Sequence, residues 1–92
     1  MSKRIEAIVH GYVQGVYFRY YTRREAGRLG LTGWVANRLD GTVEVIAEGP
    51  EKELQQMVGF LHRGSPKSRV AKVKVIWLEG KAEFTEFGVR RL

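Results

Sequence analysis

The spacing of apolar residues switches repeatedly along this chain of 92 residues, and these switches restrict its fold more than any other feature. Apolar residues at every second position indicate a half-buried strand, whereas spacings of three and four indicate an amphipathic helix. The stretches follow one another as strand, helix, strand, strand, helix and strand, with a short extra strand at the end. This order predicts a ferredoxin-like βαββαβ sandwich of the α+β class, in which an antiparallel sheet has both helices on one face.

Turn-forming residues mark the predicted boundaries between these elements. Gly30 stands where a helix C-cap glycine belongs, and Asp40-Gly41 is typical of a hairpin turn. The prediction places strands at residues 4–10, 31–37, 42–48, 70–78 and 84–90 and helices at residues 18–29 and 50–63, with Pro50 at the first position of the second helix. The fourth-strand residues predicted to share one face are Ala71, Val73, Val75 and Trp77.

The charge of the chain favours anionic partners. Sixteen Lys and Arg against ten Asp and Glu give a formal net charge of +6, which suits phosphorylated molecules, nucleic acid or acidic proteins. A solvated basic surface explains the same charge without a partner, and Arg23, Arg24 and Arg28 on the first helix are predicted to form such a face. Arg23 is also close enough to the start of that helix to add to the local potential.

The composition excludes several classes of protein. Without cysteine, the chain has no thiolate nucleophile and no cysteine-bound metal. No apolar stretch approaches the roughly 20 residues of a membrane helix, and the first residues lack the pattern of a signal peptide. The length predicts a single domain over residues 1–92. A cytoplasmic protein without membrane contact is therefore expected.

The loop after the first strand contains the most informative group of residues. Gly11 and Gly15 allow the backbone to curl, so that successive N–H groups point inward and form a concave anion site. The helix that begins near Phe18 adds unpaired N–H groups, and Arg19 in its first turn can bring a guanidinium to the same point. Because the Walker A and G-x-G-x-x-G patterns are absent, an ordinary strand-to-helix connection also explains the loop.

Other polar and aromatic positions have more than one explanation. Asn37 falls at the end of the predicted second strand, where turn chemistry explains it without any function. His10 and His62 share no motif, and Asp40 fits a turn better than a phosphorylated nucleophile. Trp34 and Trp77 fit the sheet and the core. The tyrosines whose spacing does not decide between site and surface are Tyr12, Tyr17, Tyr20 and Tyr21.

Two long segments have dense and specific patterns. Residues 9–19 follow the form aliphatic-x-G-x-V-Q-G-V-x-F-R without a departure. Residues 33–49 follow G-aromatic-V-x-N-x-x-x-G-x-V-x-x-x-x-x-G, and residues 64–73 follow G-x-P-x-x-x-V-x-x-V. Together these segments resemble the signatures of the acylphosphatase family, which has a ferredoxin-like fold, and the resemblance extends over nearly the whole chain.

The resemblance implies a reaction and a set of site residues. The reaction is the hydrolysis of acyl phosphates to a carboxylate and inorganic phosphate. The substrates are small molecules, and neither a metal ion nor an organic cofactor is expected. Arg19 matches the phosphate-binding arginine of the family, and Asn37 matches its water-positioning asparagine. The backbone phosphate cradle of the family corresponds to Gln14, Gly15, Val16, Tyr17 and Phe18. A small basic domain of this kind is expected to be a monomer.

Hydrolysis of an acyl phosphate is chemically possible with only two functional side chains, Arg19 and Asn37. The leaving group is a carboxylate whose conjugate acid has a pKa of about 4, so it departs without being protonated. Phosphoryl transfer spreads charge over three equatorial oxygens, which backbone N–H groups and one guanidinium can hold. An asparagine amide can orient water but is too weakly basic to deprotonate it. We therefore hypothesise that a phosphoryl oxygen of the substrate takes the proton.

Two alternative functions remain open from the sequence. A basic ferredoxin-like sheet would also fit a nucleic-acid-binding module, although the usual RNP1 string is absent from the third strand. Acylphosphatase-like domains also occur in larger proteins that mature hydrogenases by handling carbamoyl phosphate. This chain shows no further domain, so a stand-alone enzyme without a nucleic-acid partner is the expectation.

Overall fold

The elements occur in the predicted order. The computed structural model describes residues 2–92, and in it four strands pair antiparallel while a fifth is added at one edge. The elements are β1 (Lys3–Tyr12), α1 (Phe18–Leu29), β2 (Thr32–Asn37), β3 (Val43–Gly49), α2 (Glu51–Arg63), β4 (Arg69–Glu79) and β5 (Phe87–Arg91). The sheet order is β4-β1-β3-β2-β5. The fold is ferredoxin-like and of the α+β class, as predicted.

The core lies between the sheet and the two helices. Alternate β1 residues such as Ile5 and Val9 are fully buried on the helix side, and Phe18 at the start of α1 packs against Phe60 of α2 with ring centroids 6.2 Å apart. Burial of one such large side chain contributes about 1.5–3 kcal/mol to stability. The α2 residues buried in this core are Leu54, Met57, Phe60 and Leu61. The core therefore fixes both helices, and with them the start of α1.

The added strand makes the sheet mixed, whereas an antiparallel sheet was predicted. The chain leaves β4 at one edge, crosses the end of the sheet, and continues as β5 beside β2, to which it runs parallel. The strand begins at Phe87, not at Phe84 as predicted. Phe84 instead belongs to the crossing segment, where the guanidinium of Arg4 lies 5.5 Å from its ring centroid. A cation over an aromatic face stabilises this arrangement.

The predicted face of β4 is wrong at Ala71, whereas Trp77 keeps that face opposite Ile5 but is not a core residue. The register with β1 shifts between His10 and Gly11, so that Ala71 becomes the extra residue of a β-bulge and is exposed. A bulge reverses which residues point inward, and Val70 packs on the core in place of Ala71. Trp77 lies at the sheet edge beside the first turn of α2 and remains 43% exposed.

A buried ion pair holds the segment between β4 and β5. Arg4 Nη1 lies 3.0 Å from Glu48 Oε2, and the side chain of Glu48 is almost fully buried. The carboxylate also accepts hydrogen bonds from the backbone N–H groups of Lys81 at 3.1 Å and Glu83 at 3.2 Å. Burial by itself raises the pKa of Glu48, but these hydrogen bonds and Arg4 outweigh it and hold the pKa below its ordinary value. The pair thus ties the segment that leads into β5 to the sheet.

Acidification is expected to destabilise the fold partly through Glu48. Because its folded-state pKa is below the unfolded value, its contribution is present above the unfolded pKa and is lost as the pH falls through the folded pKa. The substitution Glu48→Gln should remove this part of the pH dependence. At neutral pH it should lower the free energy of unfolding by about 1–3 kcal/mol, since Arg4 loses a charged partner.

Urea unfolding at several values between about pH 7 and pH 3 measures both effects of Glu48→Gln. The control is Glu79→Gln, because the Glu79 side chain is 70% exposed and its pair with Lys3 should contribute little. An equal pH dependence of unfolding in Glu48→Gln and in the unchanged protein would contradict this account.

Candidate active site

The loop between β1 and α1 curls around the start of α1. Gly15 has φ 76° and Tyr17 has φ 62°, so both residues adopt left-handed backbone. Residues that alternate between left- and right-handed conformations turn successive N–H groups toward one point. A non-glycine residue in this region costs about 1–2 kcal/mol, and such strain is concentrated at functional sites. The conformation of the loop therefore directs its backbone N–H groups toward one point.

No side chain of the first turn places a negative charge at the start of α1. Tyr17 is the N-cap and makes no side-chain hydrogen bond, and the first turn contains no acidic residue. The first turn of α2, in contrast, contains Glu51 and Glu53. Carboxylates stabilise the positive end of a helix dipole, which amounts to about half an elementary charge. The positive end of the α1 dipole is thus available to an external anion.

Two side chains pin the loop from outside. Ser65 Oγ is buried and donates a hydrogen bond to the carbonyl of Val16 at 2.7 Å. Gln14 Nε2 donates to the carbonyls of Arg38 at 2.8 Å and Thr42 at 2.9 Å, which belong to the turn between β2 and β3. The Gln14 side chain is therefore engaged with the neighbouring turn, and only its backbone remains for the predicted cradle.

A cavity of about 390 Å³ opens in front of this loop. It brings Arg19 of α1 and Asn37 of β2 to one site, although 18 positions separate them in the sequence. Gln14 and Val16 are not among the lining residues. The lining residues are Val13, Gly15, Tyr17, Phe18, Arg19, Tyr20, Arg23, Asn37, Val89 and Arg91.

Asn37 lines this cavity, and its side-chain carbonyl has no hydrogen-bond partner. Among the side chains of residues 2–92, its Oδ1 is the one buried polar atom without a hydrogen-bond partner. An unpaired buried acceptor costs about 1–3 kcal/mol. The turn explanation for Asn37 is wrong, because Asp40 performs that role: its Oδ1 accepts from the Thr42 N–H at 3.0 Å and from the Thr42 hydroxyl at 2.6 Å.

Comparisons with known proteins agree with this architecture. The family model described as acylphosphatase matches residues 5–89.

The chain belongs to the acylphosphatase family.

It is accordingly a hydrolase that acts on acyl phosphates. The acylphosphatase of Salinibacter ruber is 46% identical over 90 residues, which cover 98% of this chain and 95% of that protein. The crystal structure of the acylphosphatase from Bacillus subtilis superposes with a TM-score of 0.93 at 42% identity, covering 96% of this chain and 98% of that one. Full-length HypF, of which this chain covers only 12%, has a TM-score of 0.85 at 24% identity and shows the fold alone.

Some residues that line the cavity of this acylphosphatase-family chain were not predicted. Arg23, which follows Arg19 by one helical turn, was expected mainly to be solvated but also to add to the local potential, and it lines the cavity. Arg91 and Val89 had no signal in the sequence, because only the parallel register that pairs Asn37 with Arg91 brings β5 to the site. Of the undecided tyrosines, Tyr17 and Tyr20 line the cavity, whereas Tyr12 and Tyr21 do not.

Other kinds of site find little support in this family member. The part of the chain that the structure describes contains no group of three or more His, Asp or Glu side chains placed to hold a metal ion. Its helices are too short and too polar to cross a membrane.

Replacing Gln14 by alanine is expected to loosen the loop against the turn that follows Asn37. Two hydrogen bonds are lost, which should lower the free energy of unfolding by about 1–3 kcal/mol, although both carbonyls keep a backbone N–H donor. The alignment of Asn37 with the loop should also suffer, so that kcat falls by about tenfold. Denaturant unfolding and steady-state kinetics measure the two effects. The control is Gln55→Ala, because Gln55 bonds only to the exposed Glu51 on α2; an equal loss there would contradict the account.

Proposed function

We propose that this protein acts as a single domain that hydrolyses the carboxyl-phosphate bond of acyl phosphates in the cavity described above. The observation that carries the proposal is the buried, unpaired Oδ1 of Asn37 beside the same cavity as Arg19 and the uncapped start of α1. The Asn37 side chain makes no hydrogen bond to the protein within residues 2–92, so its amide is available to a water molecule at the cavity. The opposite side of the cavity calls for an anion, and a phosphoryl group supplies it.

The loop and Arg19 bind the phosphoryl group in this proposal. The backbone N–H groups of Gln14, Gly15, Val16, Tyr17 and Phe18 form the cradle, supported by the left-handed turns at Gly15 and Tyr17. The guanidinium of Arg19 matches two phosphoryl oxygens with parallel hydrogen bonds. Charge that develops on the equatorial oxygens in the transition state meets donors already in place, which is where such preorganised groups are most effective.

Asn37 orients the attacking water. Its side-chain amide holds the water by a hydrogen bond, and the water oxygen then attacks phosphorus opposite the acyl oxygen. The bond from phosphorus to the acyl oxygen breaks, and the carboxylate leaves with the electron pair. A water proton passes to a phosphoryl oxygen, so that the products are a carboxylate and inorganic phosphate. No step needs a metal ion, an organic cofactor or a protein general acid.

The proposal includes no nucleic-acid partner. The sheet face away from the helices would be the surface for RNA, and it contains Glu6, Glu44 and the buried Glu48. The same face also contains Lys72, Lys74 and Arg90, so the argument against RNA is the absence of the RNP1 string from β3. We propose a monomeric, cytoplasmic enzyme whose substrate is a small acyl phosphate.

Hydrolysis of benzoyl phosphate in the presence of a chelator tests the proposal. We expect turnover that persists without added metal and that inorganic phosphate inhibits competitively. The pH dependence of kcat/KM should follow the ionisation of the substrate phosphate, because the substrate takes the proton. An absence of turnover would overturn the proposed function. A controlling pKa that shifts with an enzyme side chain would overturn the proton transfer.

A further inference from the structure

Ser65 lies outside the candidate active site but is bonded to its loop. It belongs to the turn between α2 and β4 and does not line the cavity. Its Oγ donates to the Val16 carbonyl at 2.7 Å, across 49 positions of the sequence. No other donor among residues 2–92 is bonded to that carbonyl. The loop therefore depends on a distant turn for this contact.

The peptide group between Val16 and Tyr17 transmits this contact to the other side of the loop. A trans peptide is planar, so its C=O and its N–H point in opposite directions, and residues 2–92 contain no cis peptide. Ser65 holds the carbonyl, so the Tyr17 N–H points away from Ser65, and Tyr17 lines the cavity. No backbone carbonyl of residues 2–92 accepts a hydrogen bond from this N–H. The N–H is thus available to a phosphoryl oxygen.

The opposite orientation of the same peptide group would spoil the anion site. Tyr17 has φ 62° and ψ 24°, a left-handed conformation that is unfavourable for a residue with a Cβ. Rotating the peptide group by half a turn would give Tyr17 a negative φ and relieve this strain. The rotation would also aim the Val16 carbonyl where the Tyr17 N–H had pointed, and a carbonyl oxygen repels phosphoryl oxygens. The strain therefore favours an orientation that cannot bind the substrate.

Burial makes the Ser65 hydrogen bond effective against this rotation. Ser65 is 3% exposed and Val16 is 5% exposed. Rotation would leave the buried hydroxyl without its acceptor, at a place where water does not readily replace it. The net contribution of one buried hydrogen bond and the cost of one left-handed residue are of the same order. One hydrogen bond is therefore large enough to decide the orientation.

We propose that Ser65 is a positioning residue, which holds the peptide group between Val16 and Tyr17 so that the Tyr17 N–H faces the phosphoryl group. This inference rests on the proposed function and adds a residue that acts on its site from outside. Without the hydroxyl, the peptide group populates both orientations, and the apparent affinity for an anion falls with the fraction that is competent. A saturating substrate selects the competent orientation, so kcat should change little.

Ser65→Ala tests the inference through a split between KM and kcat. We expect KM for benzoyl phosphate and the inhibition constant of inorganic phosphate to rise by the same factor, about tenfold, while kcat stays within about twofold. Steady-state kinetics measure these constants. Titration of isotope-labelled protein with inorganic phosphate, followed at the Tyr17 amide resonance, gives the same factor without turnover. A variant that was merely less stable would contain fewer active molecules, so kcat would fall while KM and the inhibition constant stayed unchanged.

Two further variants serve as a control and as a graded test. Ser68→Ala is the matched control, because the Ser68 hydroxyl donates to the Ser65 carbonyl at 2.8 Å within the same turn. That carbonyl keeps the Ser68 N–H as a donor at 3.0 Å, so we expect unchanged phosphate binding. Ser65→Cys keeps the shape of the side chain with a weak S–H donor. Its phosphate affinity should lie between those of Ser65→Ala and the unchanged protein.

The outcomes separate this inference from the proposed function. Equal phosphate affinity in Ser65→Ala and in the unchanged protein overturns the inference, and so does a fall in kcat alone. An equal weakening in Ser68→Ala shows a general loosening of the turn and also overturns it. If Ser65→Ala does not fold, the titration of Ser65→Cys decides, and an unchanged affinity there overturns the inference. If the unchanged protein does not hydrolyse benzoyl phosphate but the titrations show the expected factor, the proposed function fails and the role of Ser65 in anion binding stands.

Discussion

Arg19→Ala is expected to lose at least about 10²–10³ of kcat/KM for benzoyl phosphate, which amounts to abolished hydrolysis in a routine assay. In the proposed function the guanidinium serves both substrate binding and the transition state, so both contributions fail together. The loop N–H groups alone cannot replace it, because the α1 dipole supplies only about half a charge. The fold should stay intact, since Arg19 makes no ion pair with the described residues and is not part of the core.

Steady-state kinetics together with far-UV circular dichroism measure this effect. The control is Arg24→Ala, because it removes the same charge from the same helix outside the cavity. We expect that control to keep its activity within a few-fold, as long-range potentials on an exposed surface are screened by salt. A folded Arg19→Ala protein with near-native activity would refute the assigned role of Arg19.

Asn37→Ala is expected to lower kcat by about 10²–10³ while leaving the inhibition by inorganic phosphate nearly unchanged. In the proposed function the side chain orients water, which is needed for the chemical step and not for holding the phosphate. The substitution should not reduce the free energy of unfolding, because it removes a buried acceptor that has no partner. Loss of activity without loss of stability is the combination that distinguishes a functional residue from a structural one.

Kinetics, phosphate inhibition and urea unfolding of Asn37→Ala give the three readouts. The companion variant is Asn37→Asp, which keeps an acceptor of the same shape but places a negative charge beside the phosphate. We expect weaker phosphate inhibition in Asn37→Asp and unchanged inhibition in Asn37→Ala. If phosphate inhibition collapsed in Asn37→Ala instead, the roles of Arg19 and Asn37 would have to be exchanged.

Secondary structure and the curled loop between β1 and α1 follow from local patterns in the sequence. The period of apolar residues is a property of neighbours along the chain, so it predicts α1 and α2 closely and the strand order correctly. The loop was predicted for the same reason: Gly15 and the start of α1 are adjacent in sequence, and their backbone needs only local geometry. The fold class, and the family with its hydrolase activity toward acyl phosphates, thus follow from the amino-acid sequence by itself.

Tertiary structure alone decided which side chains share the cavity and which face of each edge strand is buried. The bulge at Ala71 arises from pairing with β1, and the place of Arg91 depends on β5 crossing the sheet to run parallel to β2. The unpaired Oδ1 of Asn37 is likewise visible only once its neighbours are placed. Strand register and the partner of an added strand depend on residues far away in the chain, and a local period contains no information about them.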